Sequence, residues 1–222
     1  MKVSEVKEKL LILLNPLCIE LGYKTNKGRF SINKKQGNVS SSLHFLTNHW
    51  FDEVQVIPYV EIDIKEINDI WKKFDEYIGY TYYMNLRELK DWYNIGEISW
   101  EKFVKNNGNR YKLFNYENNL IEAFNEIGNL FKDYGLKYID DFGSIEGVNR
   151  LYNENYLDNN NPHCSGFNVK GVVGLIAAKL SDNPNYEVIS AYYTDIINQH
   201  KKANTMTKKD IEIFFKIKEY LG

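Results

Sequence analysis

Cysteine is scarce in this sequence. Of 222 residues only Cys18 and Cys164 are cysteines, and they lie far apart along the chain. A disulfide framework needs several cysteines, and a cysteine-based zinc site needs closely spaced pairs. The sequence therefore predicts neither kind of site, and it favours reduced thiols in a cytoplasm.

Long apolar runs are also lacking. No stretch approaches the roughly 20 residues that a membrane-spanning helix needs. The N-terminal segment carries Glu5 and Glu8 before a short apolar run that Asn15 and Pro16 interrupt, and secretory signal peptides lack such acids. We therefore expect a cytoplasmic protein without a membrane partner.

Alanine is rare, whereas aromatic residues are abundant. Only five alanines are present, against 17 Tyr, 12 Phe and 4 Trp. The shares of hydrophobic and charged residues, 43% and 26%, are those of a folded globular chain, with a formal net charge of −2. The composition therefore predicts a folded protein whose core is dominated by ring contacts.

The N-terminal half reads as a helix followed by antiparallel strands. Apolar residues at three- and four-residue steps predict a helix over 4–20, capped by Ser4 and ended by Gly22. Pro16 predicts a kink or break near Leu13 to Asn15. Alternating and β-branched residues then predict a meander of three to four strands, with β structure confined to about residues 28–64. A helical pattern follows over 65–78.

The C-terminal half has helical periodicity, and everything after Leu120 is predicted to be helical. Gly135 is the predicted stop of its first helix, while Ser144 and Thr207 precede later ones. We therefore predict an α+β fold with an N-terminal helix, an antiparallel meander and a C-terminal helical bundle. A polar loop at 105–112 divides a helix-plus-sheet region, 1–112, from a helical region, 113–222, packed together as one globular unit.

Residues suited to chemistry are present, but they form no known motif. His44, His49 and Asp52 have no zinc-site spacing, and the adjacency of His163 and Cys164 does not by itself make a catalytic pair. The sequence predicts no metal, no cofactor and no catalytic residue. The alternative is a small hydrolase or transferase that combines His44, His49 or His163 with a distant carboxylate.

Two further groups favour structural roles. Glu61 and Asp63 share a strand face, but the sequence shows no His, Lys or Arg near them to tune their pKa values, so we expect a solvated sheet face. The small residues Gly171 and Gly174 lack the pattern of a phosphate-binding loop, and they favour close packing between helices.

A basic stretch runs from Leu21 to Phe51 without any acidic residue. Its cations are Lys24, Lys27, Arg29, Lys34 and Lys35. Cations along one face can contact phosphates, which makes weak nucleic-acid binding a second alternative. The acidic net charge argues against it, since nucleic-acid-binding domains are usually basic.

Aromatic residues in the region of weakest periodicity are the candidate interface. Tyr and Trp concentrate binding energy at protein interfaces. The predicted interface residues are Trp50, Phe51, Tyr80, Tyr82, Tyr83, Trp92 and Trp100.

A helix ending in LGYK, the strand GRFSINKK and the helical segment YGLKYIDDFGSIEGVNRLY follow one another in this chain. In this order, over residues 10–64 and 130–152, the chain resembles an uncharacterised bacterial family of unknown function. The family has no established active residues to carry over. Proteins of this layout often lie beside toxin genes, so the resemblance implies an immunity role. We therefore expect a non-enzymatic protein-binding module, most concretely an inhibitor of a bacterial toxin, with its oligomeric state left open.

Overall fold

The computed structural model describes residues 2–50, 53–75, 82–95, 111–113, 117–154, 157 and 167–222. These residues form two compact units. The first comprises Met1–Ile62 and Tyr82–Asp140, and the second comprises Asp63–Thr81 and Asp141–Gly222. Each unit has its own apolar core. The predicted division at residue 112 stays a prediction.

The first unit begins with helix α1, Val3–Leu21, which is one continuous helix. The helix is not broken near Leu13 to Asn15, so that prediction is wrong. The predicted Ser4 cap is also wrong, because Ser4 lies inside the helix and Lys2 is the cap. Pro16 is exposed, so the carbonyl that loses its hydrogen-bond donor lies on the solvent side. The predicted end is confirmed, since Gly22 adopts a left-handed conformation with φ 71°.

In the part of the first unit that the structure describes, six strands form one sheet. The strands are β1 Lys24–Asn26, β2 Ser31–Gln36, β3 Val39–Trp50, β4 Glu53–Ile64, β5 Tyr82–Asn85 and β6 Tyr111–Leu113. They are ordered β1-β2-β3-β4-β5, and β6 also pairs with β4. The predicted fold class is confirmed, but the strand count is higher than expected. The prediction that β structure is confined to residues 28–64 is wrong, because β1, β5 and β6 lie outside that range. These strands are too short to show a pattern in the sequence, and they are identified by their pairing with neighbouring strands.

Helices pack on one face of this sheet. They are α1, α3 Leu86–Ile95, α4 Glu117–Leu130, a π-helical turn Phe131–Gly135 and α5 Leu136–Phe142, whose last residues belong to the second unit. Ile32, Leu43 and Val60 point into the core beneath them. The predicted stop at Gly135 is wrong, because the chain continues through the π-helical turn into α5. A Cβ at Gly135 would lie 2.6 Å from Phe131 Cδ2, so glycine serves close packing there.

The second unit is helical. It contains α2 Lys65–Trp71, α6 Ile145–Asn153, α7 Phe167–Leu180, α8 Tyr186–Ala203 and α9 Lys208–Leu221. Ser144 and Thr207 cap α6 and α9 as predicted, each accepting a hydrogen bond from a backbone N–H three residues ahead. Among the described residues, every element after Leu120 is helical, which confirms that prediction. Helix α2 is shorter than the predicted 65–78.

A buried polar network joins three helices of the second unit. The Tyr193 hydroxyl lies 3.1 Å from the Tyr152 carbonyl and 2.9 Å from Asn153 Oδ1. The Asn153 amide donates to the Gly174 carbonyl at 2.8 Å. Gly174 is where α7 approaches the Tyr193 ring, which confirms the predicted packing role of this glycine. In the part of the chain that the structure describes, no helix is both long and apolar enough to cross a membrane.

Candidate functional site

Strand register places a row of polar residues on the sheet face opposite the helices. Lys24 pairs with Asn33, and Asn33 pairs with Ser42. Cross-strand partners project to the same side of a sheet, and Ser42 in turn donates a hydrogen bond to Glu61 on β4. A second row follows the same face through Asn26, Ser31 and His44. These seven residues, Lys24, Asn26, Ser31, Asn33, Ser42, His44 and Glu61, form what we call the polar sheet face.

Glu61 lies at the centre of the hydrogen bonding on this face. Its Oε1 atom is 2.7 Å from His44 Nδ1, and its Oε2 atom accepts from the Ser42 hydroxyl at 3.0 Å. His44 and Glu61 are 26% and 27% exposed. Because an ionised carboxylate only accepts hydrogen bonds, we assign the proton of a neutral His44 ring to Nδ1, which makes Nε2 an acceptor.

The surroundings of Glu61 favour its ionised form. Burial, the largest single influence, raises the pKa of its carboxyl group. The hydrogen bond and charge of His44, the Ser42 hydroxyl and the charge of Arg29 act in the opposite direction, and together they leave the pKa of Glu61 lowered. The carboxylate is therefore a stable acceptor at neutral pH.

The expectation that Glu61 has no basic residue near it is wrong. His44 is 17 residues earlier in the sequence and contacts it directly. The pairing of β3 with β4 brings the two together, since Ser42 lies eight residues before the end of β3 and Glu61 eight residues after the start of β4. Counting along each strand from the end of β3 and the start of β4 would have found the contact.

We expect Glu61→Gln to lower the free energy of unfolding by roughly 1–2 kcal/mol at neutral pH, because a carboxylate is the stronger acceptor. Since the pKa of Glu61 is lowered in the folded protein, its stabilising effect is complete well above about pH 4, where a free glutamate titrates, and is lost as the pH falls through the lowered pKa. Urea unfolding at pH 7 and pH 3 measures the change. The difference from wild type should shrink at pH 3, whereas Glu212→Gln at an exposed position should have little effect at either pH. A difference independent of pH would contradict the assignment.

The structure describes the predicted interface residues to different extents. Phe51, Tyr80 and Trp100 lie outside the described residues, and Trp50, Tyr82 and Tyr83 are described only as strand positions. Tyr83 pairs with Glu61, whereas Tyr82 pairs with buried Ile62, so the two positions belong to opposite faces of the sheet.

Trp92, on α3, is half-buried and meets the buried ring of Tyr138 edge-on, with ring centroids 6.5 Å apart. It therefore packs against the core and also reaches the surface. The interface role of all seven aromatic residues stays a prediction.

The five cations of the basic stretch differ in their exposure. Lys34 is half-buried, and its ammonium donates to the Leu21 carbonyl at 3.1 Å, where it helps to end α1. The other four are exposed along the β1–β2 edge: Lys24, Lys27, Arg29 and Lys35. Lys24 is itself part of the polar sheet face, so this edge adds positive charge to the rim of that face.

The structure gives little information on the other residues proposed for catalysis or metal binding. His163 and Cys164 lie outside the described residues, and His49 is described only as a position on β3. Cys18 is buried in α1, and burial raises the pKa of its thiol, which makes it unreactive. Within the described ranges, no group of three or more His, Cys, Asp and Glu side chains is arranged to hold a metal ion.

Neither protein-family models, curated proteins nor solved structures give a match to this chain. The polar sheet face is therefore the observation from which a function can be inferred.

Proposed function

We propose that this protein is a non-enzymatic protein-binding module that covers its partner with the polar sheet face. Most concretely, we propose an immunity-type inhibitor of a bacterial toxin. The observation that supports the proposal is the sidedness of the sheet. Its inward residues, such as Ile32 and Leu43, are fully buried under helices, whereas the outward positions Asn33 and His44 are half-buried. Ser31 and Ser42, on the same outward side, are 2% and 9% exposed.

The shape of the face suits a protein partner. Serine and asparagine side chains are short, so they form a platform of low relief. Three strands about 4.8 Å apart, over about six residues each, together with the three-residue strand β1, cover roughly 340 Å². A stable interface buries roughly 800 Å² on each partner. Among the predicted interface residues, Trp50 on β3 and Tyr83 on β5 are strand positions suited to add to this area.

The face also has the anatomy of an interface. Leu46 follows His44 on the same side of β3 and is 46% exposed, so an apolar side chain lies beside hydrogen-bonding groups. The Glu61 carboxylate has His44 as a hydrogen-bond partner, while Lys24 and Lys35 are exposed at the rim of the face. Such rim cations favour a partner with an acidic surface, because they speed its encounter with the face.

Two double variants of matched charge test the proposal. Lys24→Glu with Lys35→Glu reverses the rim, and Lys201→Glu with Lys202→Glu reverses two exposed cations at the end of α8 in the other unit. The chain is expressed beside its neighbouring gene in the native host, the co-purified protein is identified, and its affinity is measured calorimetrically. We expect the first variant to lose at least about tenfold in affinity and the second to change less than about twofold.

The inhibitor role has its own readout. If the partner is a toxin, wild type and the Lys201/Lys202 variant should restore the growth of cells that express it, whereas the Lys24/Lys35 variant should not. Equal loss of affinity in both variants would show non-specific charge attraction and would contradict a role for this face. Retention of RNA or DNA in place of a protein, weakening steeply with salt, would support nucleic-acid binding instead.

The contact between His44 and Glu61 favours a second candidate, a hydrolase or transferase. A carboxylate that holds Nδ1–H orients an imidazole so that Nε2 can accept a proton from a substrate. A turnover that His44→Gln abolishes, in a variant that still folds, would favour this candidate over binding alone.

A further inference from the structure

Strand β3 extends beyond its neighbour β2. The register pairs Ser31, the first residue of β2, with His44, and the Phe45 N–H then donates to the Phe30 carbonyl at 3.2 Å. Strand β3 continues past this bond over residues 46–50, which we call the open edge. In the part of the chain that the structure describes, no strand pairs with the open edge on the side of β2.

Phe30 turns the chain away from the open edge. Its φ is 50°, a left-handed conformation that is uncommon for a residue with a side chain, so the strand geometry of β2 does not extend back beyond Ser31. The Phe30 ring is buried and packs on the Phe45 ring, with centroids 5.1 Å apart. This packing holds the turn in place, so the segment before β2 does not pair with the open edge.

Main-chain groups of alternate residues point toward the open side. In an antiparallel pair, the N–H and C=O of one residue point toward one neighbouring strand, and those of the next residue point the opposite way. The Phe45 N–H points toward β2. The groups of Thr47 and His49 therefore point the same way, whereas those of Asn48 point toward β4. The open edge thus offers two donors and two acceptors in the spacing of a strand.

The composition of the open edge permits another strand to pair with it. Exposed sheet edges are commonly protected by charged side chains or by proline, which oppose strand addition. The open edge has the sequence LTNHW, which contains no Lys, Arg, Asp, Glu or Pro. Nothing in this sequence opposes pairing with a further strand.

We infer that an extended segment of the protein partner adds as a strand along the open edge of β3, an inference that rests on the binding role proposed above. An extended main chain carries N–H and C=O groups in the spacing that matches Thr47 and His49, as in recognition by strand addition. Leu46 is 46% exposed on the outward side. The partner residue beside it is apolar, because a charged group there would lose hydration without compensation.

Strand addition also enlarges the proposed interface. The added strand lies in line with β2, and Leu46 follows His44 on the outward side of β3. The rest of the partner is therefore held beside the polar sheet face. Because that face alone is smaller than the roughly 800 Å² of a stable interface, pairing at the open edge supplies contacts that the face lacks.

Amide hydrogen exchange, measured for single residues by NMR, tests whether the edge is open. In the free protein we expect the N–H groups of Thr47 and His49 to exchange at least about 100-fold faster than those of Leu43 and Phe45, which point the same way but pair with β2. Saturation with the co-purified protein should slow Thr47 and His49 at least about tenfold.

Two results of this measurement would overturn the inference. Slow exchange of Thr47 and His49 in the free protein at low concentration would show that the edge is already covered. Exchange that slows as the concentration of this chain alone is raised would identify a second copy, and not the partner, as the occupant.

Two substitutions at position 47 separate the main chain from the side chain. Thr47→Pro removes the N–H that faces the open side, and proline is tolerated at such a position because the bonds to the other neighbouring strand remain. Thr47→Val loses the hydroxyl but keeps the N–H. We expect the Kd for the co-purified protein, measured calorimetrically, to rise at least about tenfold for Thr47→Pro, since the partner's acceptor is left unpaired. It should change less than about twofold for Thr47→Val.

Circular dichroism checks that both variants fold, and the exchange measurement on wild type needs no variant. A partner that binds Thr47→Pro as tightly as wild type, or that leaves the Thr47 and His49 amides exchanging freely, would overturn strand addition and leave the proposed function intact. Failure of any protein to co-purify would overturn the proposed function and this inference with it.

Discussion

Replacement of Gly174 by alanine is expected to lower the free energy of unfolding by about 1–3 kcal/mol, the usual cost of overpacking a core. The added Cβ would lie 2.5 Å from the Tyr193 hydroxyl oxygen and 2.9 Å from its Cζ atom. Tyr193 is fully buried, and its hydroxyl bonds to the Tyr152 carbonyl and to Asn153. The ring cannot withdraw without breaking these bonds, so the clash and the lost hydrogen bonds add together.

Gly128→Ala is the matched control, because Gly128 also lies inside a helix. A Cβ there would lie 4.0 Å from Leu17 Cδ2, which is ordinary van der Waals contact. Alanine is the better helix former, so this variant should be neutral or more stable by up to about 1 kcal/mol. Thermal unfolding of both variants measures the contrast. In the double variant Gly174→Ala with Tyr193→Phe, the cost of the alanine should be smaller, because the nearest atom is gone. Equal stability of Gly174→Ala and wild type would show that α7 and α8 are less closely packed than the structure indicates.

Phe131→Ala should lower the free energy of unfolding by about 3–5 kcal/mol. Phe131 is fully buried, and its ring meets Tyr23 edge-on with centroids 5.5 Å apart. The ring also lies where a Cβ on Gly135 would be. We therefore expect Gly135→Ala to be destabilising in wild type and less so in Phe131→Ala, since truncation removes the closest contact and leaves those to Val60 and Leu86 at 3.1 and 3.2 Å.

Urea unfolding of the two single variants and the double variant measures this coupling. Phe215→Ala on α9 is the control for losing a ring, and because Phe215 is only half-buried its cost should be smaller. If the costs of Phe131→Ala and Gly135→Ala simply added, the two residues would not share the space that the structure gives them.

Much of the fold follows from local patterns. The apolar spacing of α1, the left-handed end at Gly22 and the caps Ser144 and Thr207 all act within a few residues of themselves. Sequence reasoning therefore finds them. The errors arise where a distant contact decides. Glycine is the residue type that commonly ends a helix, but at Gly135 the helix continues. Phe131, Val60 and Leu86 occupy the space that a side chain at this position would need.

The candidate site divides in the same way. Alternation along the strands predicts that a polar face exists. The contact between His44 and Glu61 depends instead on the register of β3 against β4, which local periodicity does not specify. The predicted aromatic interface was chosen by composition, which does not distinguish the face of Tyr82 from that of Tyr83. The sequence thus indicates which strand positions are polar or aromatic, but it does not show which residues contact one another across strands.

The edge of the sheet at β1 affects how this protein behaves at high concentration. Strand β1 is an edge strand of only three residues, and its first residue is the exposed Lys24. A long and uncharged edge offers a template on which further chains add strands and aggregate, whereas a short edge bearing lysine opposes that growth. Addition of strands from other chains at this edge is therefore disfavoured, and the chain can accumulate in a crowded cell without starting a fibril there.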